Sequence, residues 1–127
     1  MRVLILEDDL NDLLMATRIA RRAGFEEIET LANLEQAIKV IEQGLRGERL
    51  LPEAVILDLN LGYDSGYEFL RHWRSIWKQV NIQIVVWSAL GEWNQDLCAP
   101  FHVDAYVSKG EGEAALSRAL QQLTWRA

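Results

Sequence analysis

The stretch AVILDLNLG, residues 54–62, decides how this chain is read. Its first four residues, Ala54 to Leu57, have the length and composition of a strand buried on both faces, and the run breaks on a carboxylate, Asp58. A charge at the end of a buried strand is costly unless something offsets it. Candidates for that compensation stand at the ends of the other apolar runs.

Toward the N-terminus, Arg2 to Leu6 (RVLIL) is a second strand of the same kind, and it ends on Glu7, Asp8 and Asp9. A helix follows with Leu10, Leu13, Leu14, Thr17 and Ala20 on one side, stopping at Gly24. Glu27 to Leu31 alternates weakly as a strand. The next helix carries Leu34, Ala37, Ile38 and Ile41 at helical spacing, is opened by Asn33 with Gln36 three residues later, and is expected to end at Gly44. Leu45 to Pro52 reads as a surface loop with apolar residues of its own.

After the strand Ala54 to Leu57 comes a turn rich in Gly and Asp, then a helix announced by Ser65 and Glu68 as a capping box, with Phe69, Leu70, Trp73 and Trp77 as its apolar stripe. Ile82 to Trp87 (IQIVVW) is a β-branched run that leads to Ser88. Between Gly91 and Pro100 the pattern supports only a short or irregular fourth helix, because Pro100 interrupts it. Val103 to Val107 is a fifth strand followed by Lys109, and Leu116, Ala119, Leu120 and Leu123 mark a closing helix. Five strands alternating with helices imply an α/β fold, a doubly wound parallel sheet with helices on both faces.

Composition agrees with one globular domain over residues 1–127. Hydrophobic residues make up 50% and charged residues 25% of the chain, and the apolar runs are too short to span a bilayer. The N-terminus lacks the features of a secretory signal. Cys98 is the only cysteine, which rules out an intrachain disulfide and fits a reducing, cytoplasmic setting. The net charge is −6, and the densest basic group is Arg18, Arg21 and Arg22 on one helix, so direct nucleic-acid binding is not expected. Of the five tryptophans, Trp73, Trp77 and Trp87 read as structural, while Trp93 and Trp125 suit an exposed partner surface.

In an open parallel sheet, ligands bind beyond the carboxyl ends of the strands near the topological switch. Those ends carry Glu7, Asp8 and Asp9, then Asp58, then Ser88, then Lys109. Two unit charges about 4 Å apart repel by roughly 4 kcal/mol at an effective dielectric near 20. The carboxylates therefore need raised pKa values or a cation, and a hard divalent ion, Mg²⁺, is the economical answer. Taken singly, Asp9 and Asp64 read as turn formers or helix caps.

The pieces LILEDD, ILDLNLGYDSG, VVWSA and AYVSKG, in that order and at these separations, resemble the receiver domain of two-component response regulators over essentially the whole chain. The resemblance implies a flavodoxin-like sheet in the order 2-1-3-4-5. It implies that Asp58 is the phosphoacceptor, that Glu7, Asp8 and Asp58 hold Mg²⁺ together with the backbone carbonyl of Asn60, and that Ser88 and Lys109 bind the phosphoryl group. Tyr106 matches the aromatic whose rotamer reports the phosphorylated state. It further implies a histidine kinase or histidine phosphotransfer protein as donor, a downstream protein target, and pairing of two receivers through the fourth helix, fifth strand and fifth helix. No catalysis is implied beyond the domain's own phosphoryl transfer and dephosphorylation. No output module follows the last helix, so a stand-alone receiver is expected.

Three positions depart from the family pattern. Gly110 follows Lys109 where proline in a cis peptide is usual, and a cis bond to a non-proline residue costs roughly 2.5–4 kcal/mol. A trans peptide is therefore predicted here, or a loop of altered flexibility. Gly62 replaces a proline and is expected to loosen the rim, and His102 replaces a glycine before the fifth strand. A module that binds a partner without phosphorylation is the competing reading.

Overall fold

The computed structural model describes residues 1–62, 64–89, 101 and 103–123, with the side chain of Trp77 excepted. The expected fourth helix at residues 91–100, Leu90, Cys98, His102, Trp93 and Trp125 lie outside the described residues.

Strands β1 (Arg2–Leu6), β2 (Glu27–Leu31), β3 (Ala54–Leu57), β6 (Gln83–Ser88) and β7 (Ala105–Ser108) form one parallel sheet in the order β2-β1-β3-β6-β7. This is the expected 2-1-3-4-5 order, with the small strands β4 (Asn60–Leu61) and β5 (Asp64–Ser65) intervening in the chain. The chain runs outward from β1 to β2 and then crosses back to β3 on the other side of β1. That reversal opens a crevice at the carboxyl ends of β1 and β3.

Alternation along each strand sends side chains to the two faces of the sheet. On one face Val3, Ile5, Ala54, Ile56, Val85 and Trp87 pack against Ala16, Ile19 and Ala20 of helix α1 (Leu10–Arg22) and Leu116 and Leu120 of helix α4 (Glu113–Gln121). On the other face Leu4, Leu6, Val55, Leu57, Ile84 and Val86 meet Ala37, Val40 and Ile41 of helix α2 (Leu34–Leu45) and Phe69, Leu70 and Trp73 of helix α3 (Gly66–Ile76). The central strands are apolar at nearly every position because both of their faces are covered.

Local signals placed most of the boundaries. Asp9 caps α1 by accepting from the Asp12 N–H at 2.9 Å, and Asn33 caps α2 by accepting from the Gln36 N–H at 2.9 Å. Asp64 also acts as a cap, but across the fold: its carboxylate accepts from the Leu34 N–H at the start of α2, at 3.3 Å.

Four expectations are corrected. Gly44 lies inside α2 rather than ending it, and a Cβ there would collide with the Leu51 side chain; the turn in left-handed backbone is Gly47, with φ +77°. The Ser65 hydroxyl accepts from the Tyr67 N–H at 3.2 Å while Glu68 pairs with Arg71, so the α3 start is capped without the reciprocal half of a capping box. The turn after Asp58 is an antiparallel hairpin, with Asn60 opposite Ser65 and Leu61 opposite Asp64. The fifth strand of the sheet begins at Ala105 rather than Val103. There the Asp104 carboxylate accepts from the Ile84 N–H at 2.7 Å, as its own N–H donates to the Ile84 carbonyl. Its side chain thus takes the place of a main-chain acceptor, and the ladder starts at Ala105, two residues past the expected Val103.

No helix among the described residues is long and apolar enough to cross a membrane.

Candidate functional site

Register brings the four strand ends together. Leu6 lies opposite Leu57, Leu57 opposite Val86, and Ser88 opposite Ser108, so the residues that follow them share one edge. The ladder continues one step past β1 and β3, because the Glu7 N–H donates to Leu31 O and the Asp58 N–H donates to Leu6 O, both at 3.0 Å. These bonds hold the two carboxylates at the mouth of the crevice instead of in a free loop. The crevice is a cavity of about 450 Å³ whose lining includes Glu7, Asp8, Asp9, Asp12, Asp58 and Lys109.

Asp58 is 3% exposed and Glu7 1% exposed, both deep for carboxylates. One Asp58 oxygen, Oδ1, accepts from the Asn60 N–H at 3.1 Å and sits 3.4 Å from the Ser88 hydroxyl. The other, Oδ2, accepts from the Lys109 ammonium at 3.0 Å. Lys109 Nζ also donates to Glu7 Oε2 at 2.9 Å and to Asp12 Oδ2 at 2.8 Å. The same ammonium lies 5.1 Å from the ring centroid of Trp87, which is buried beneath it. A cation over the face of an indole at this distance is held by the ring quadrupole as well.

Burial pushes the Glu7 carboxyl up to about 8, and the neighbouring Asp58 charge adds to that while the Lys109 hydrogen bond opposes it. Burial alone would lower the Lys109 ammonium, but its bonds to Asp12, Glu7 and Asp58 outweigh that and hold it above the ordinary lysine range. One ammonium thus faces more carboxylates than it can neutralise.

Oxygens of Glu7, Asp8 and Asp58 lie within 4.8 Å of one another. Two of these carboxylates are buried, one is exposed, and all are hard oxygen donors on an open cavity. That set fits a divalent cation that keeps several waters. Asp8 faces the hairpin at Gly62, where a Cβ would stand 3.1 Å from Asp8 Oδ2; Gly62 itself has φ +72°. Proline is locked near φ −65° and could not occupy this turn. The glycine that replaces proline therefore belongs to a defined hairpin, in which the Asn60 side-chain oxygen accepts from the Gly62 N–H at 3.2 Å.

The Lys109–Gly110 peptide is trans, as predicted. Lys109–Glu111 forms a 3₁₀ turn capped by Ser108, whose hydroxyl accepts from the Gly110 N–H at 3.3 Å. Tyr106 is half-buried on β7 opposite Val86 and packs against the core on the α2–α3 face.

The structure adds two residues that sequence reasoning missed. Asp12, in the first turn of α1, reads in sequence as an acid that complements the helix dipole, yet it is the closest partner of Lys109. Gly66 reads as a poor opening residue for α3. Its N–H donates to Leu59 O at 2.9 Å, and a Cβ on it would stand 2.3 Å from Asp58 O and 2.8 Å from Leu59 Cα. Its signal in the sequence is a glycine at a helix start where a better helix former was available.

Comparison with known proteins completes the picture. A family model described as "Response regulator receiver domain" matches residues 3–121. Among curated proteins none matches significantly. Among solved structures, the Mn(2+)-bound form of response regulator Rcp1 is similar at 22% identity, covering 98% of both chains with a TM-score of 0.76. A sensor protein from Polaromonas sp. JS666 is similar at 27% identity, covering 95% of this chain and 93% of that one, also at 0.76. The phosphorylated cyanobacterial phytochrome response regulator RcpA is similar at 23% identity, covering 94% and 88%, at 0.75. These are likenesses across the whole sheet and its helices, and with the family match over residues 3–121 they show that the chain belongs to the response regulator receiver domain family.

Proposed function

We propose that residues 1–127 act as a receiver that accepts a phosphoryl group on Asp58, with Mg²⁺ held by Glu7, Asp8, Asp58 and the Asn60 carbonyl. Membership of the family carries a phosphoacceptor role in two-component signalling, as a signalling module rather than a classical enzyme. The observation that carries the assignment to Asp58 is its place. Glu7 and Asp58 are both buried carboxylates bonded to the Lys109 ammonium and to a backbone N–H, from Asp9 and Asn60 respectively, and of the two it is Asp58 that the Ser88 hydroxyl approaches. The Ser88 hydroxyl stands 3.4 Å away.

A carboxylate ordinarily titrates near 4 and needs no general base at neutral pH. In the transfer, an Asp58 oxygen forms the new O–P bond as the donor's P–N or P–O bond breaks, and the electron pair leaves with the donor. A divalent cation held by Glu7, Asp8, Asp58 and the Asn60 carbonyl would supply charge neutralisation for this transfer. Lys109 and Ser88 meet the remaining oxygens, Asn60 orients the carboxylate, and the acidic walls keep the ammonium aimed inward. The Mn(2+) of Rcp1 and the phosphorylation of RcpA support this reading by analogy.

On this reading the donor is a histidine kinase or a histidine phosphotransfer protein. The acyl phosphate draws the Ser88 and Lys109 loops inward, Tyr106 follows on the same strand as Ser108, and a downstream protein or a second copy docks in response. We place the protein in the cytoplasm. The competing reading, an interaction module independent of phosphorylation, is not favoured, because each chemical position is filled by a competent residue. The test is incubation with Mg²⁺ and acetyl phosphate, followed by intact mass measurement. A hydroxylamine-sensitive phosphate is expected on wild type and none on Asp58→Asn. Label that persists in Asp58→Asn, or no label under conditions that modify a control receiver, overturns the assignment.

A further inference from the structure

We propose that Asp12 is a positioning residue that competes with the phosphoryl group for Lys109 and so holds the site in its unphosphorylated arrangement. The inference rests on the phosphoacceptor reading of Asp58. An ammonium has three donors and no more, and each of those on Lys109 meets a carboxylate: Asp12 at 2.8 Å, Glu7 at 2.9 Å and Asp58 at 3.0 Å. Glu7 and Asp58 belong to the group of carboxylates close enough to share a cation, and Asp12 does not. Asp12 is thus free to remain on the lysine whatever the other two bind.

Asp12 also sits on a fixed support. Its N–H is bonded to the α1 cap Asp9, and α1 is tied to the start of α4 by Arg18 and Glu113 at 3.0 Å. Below the ammonium lies the Trp87 ring. Lys109 is therefore held from the side by Asp12 and from below by an indole, a slot that exists before any phosphoryl group arrives.

A phosphoryl group on Asp58 adds a charge of about −1.5 to −2. With Asp12 in place, one of the three Lys109 donors stays on a carboxylate that the cation site does not recruit. Removing the Asp12 charge frees that donor and also removes a like charge beside the incoming anion. The two effects have the same sign, so neutralising Asp12 strengthens binding of a phosphoryl group or its mimic. A merely structural role in the first turn of α1 would alter stability and leave this affinity unchanged.

The experiment compares wild type, Asp12→Asn, Asp12→Glu and Asp58→Asn at saturating Mg²⁺, titrating beryllium fluoride as the acyl-phosphate mimic by calorimetry. In parallel, metal-free protein is labelled with trace acetic anhydride, and the rate at Lys109 is read against exposed Lys39 by peptide mass spectrometry. Asp12→Asn is expected to bind beryllium fluoride about three- to tenfold more tightly and to label at Lys109 several-fold faster. Asp12→Glu, which keeps the charge, is expected to return both toward wild type. Unchanged or weaker binding in Asp12→Asn with wild-type labelling at Lys109 overturns the proposal alone. Failure of wild type to bind the mimic at all removes the phosphoacceptor reading and this inference with it.

Discussion

Gly66→Ala sets two physical rules against each other, and their signs differ. By helix propensity, alanine in place of glycine in the first turn of α3 would stabilise by up to about 1 kcal/mol. Packing predicts the reverse. The new methyl would lie 2.3 Å from Asp58 O, 3.0 Å from Asp58 C and 2.8 Å from Leu59 Cα, all backbone atoms with no rotamer to yield. Ordinary contact starts near 3.4 Å, so the start of α3 and the Asp58 backbone must separate by about 1 Å. That motion strains the Gly66 N–H bond to Leu59 O at 2.9 Å and shifts the packing of Phe69 and Leu70 behind it. Overpacking of this kind costs about 1–3 kcal/mol, a fall of roughly 1 M in the urea midpoint at an m-value near 2 kcal/mol/M. A reacting group displaced by about 1 Å loses up to about 100-fold in rate, so the initial rate of labelling by acetyl phosphate is expected to drop by about 10- to 100-fold while the Asp58 side chain is untouched. Urea unfolding and the labelling time course measure both. A variant as stable as wild type, labelling within twofold of it, would refute the claim that the close approach of α3 positions Asp58.

Two further outcomes test the electrostatics. Lys109→Met leaves Glu7 and Asp58 buried without their cation, and stranding buried charges costs about 3 kcal/mol. Urea unfolding is expected to show that loss in EDTA and a smaller one at saturating Mg²⁺, and equal losses in both media would count against a shared cation site. Asp104 tests the ladder at the start of β7: burial raises its carboxyl above the ordinary aspartate value, partly opposed by the bond from the Ile84 N–H. The folded state thus binds this proton more tightly than the unfolded chain, so the Asp104 contribution favours folding at low pH and is lost as pH rises from the unfolded value through the folded one. Asp104→Asn keeps an oxygen for the Ile84 N–H and cannot ionise, so the stability difference, variant minus wild type, is expected to grow in the variant's favour across that window. A difference that is flat with pH would show that folding leaves the affinity of this carboxyl for its proton unchanged, against the raised value.

What was legible in the sequence, and what was not, divides along the range of the interaction. Burial on both faces forces β1, β3 and β6 to be apolar at nearly every position, so a polar residue that breaks the run marks a strand end without any knowledge of neighbours. Glu7, Asp58, Ser88 and Lys109 were all visible in that way, and parallel order alone carries their ends to one edge. Asp9 and Asn33 were visible because a cap bonds within its own helix. The Asp64 bond to Leu34, by contrast, spans two elements far apart in sequence, and an aspartate in a turn has too many local uses to announce a distant one. Gly44 misled for a similar reason: a glycine near a helix end ordinarily signals a stop, and only the Leu51 side chain against it shows that the missing Cβ is what matters. The hairpin of Asn60–Leu61 with Asp64–Ser65 is two residues per strand, too short for any alternation to register.

Asp12 is the most consequential of these silent positions, because the strand-end argument cannot reach a residue on a helix. Its charge satisfies a local rule, acid in the first turn, so nothing is left unexplained in the sequence to suggest a second use. The need arises only in three dimensions. Five carboxylates and one ammonium share one mouth, and the ammonium divides its donors among three of them. Lys109 therefore has to be counted by donors as well as by charge: two of its three bonds go to groups that a cation can recruit, and the third goes to one that it cannot. On the proposed reading, that division lets the same lysine neutralise the buried carboxylates and still be contested once Asp58 is phosphorylated, so the balance at Lys109, rather than the presence of any one acid, is what the Asp12 variants measure.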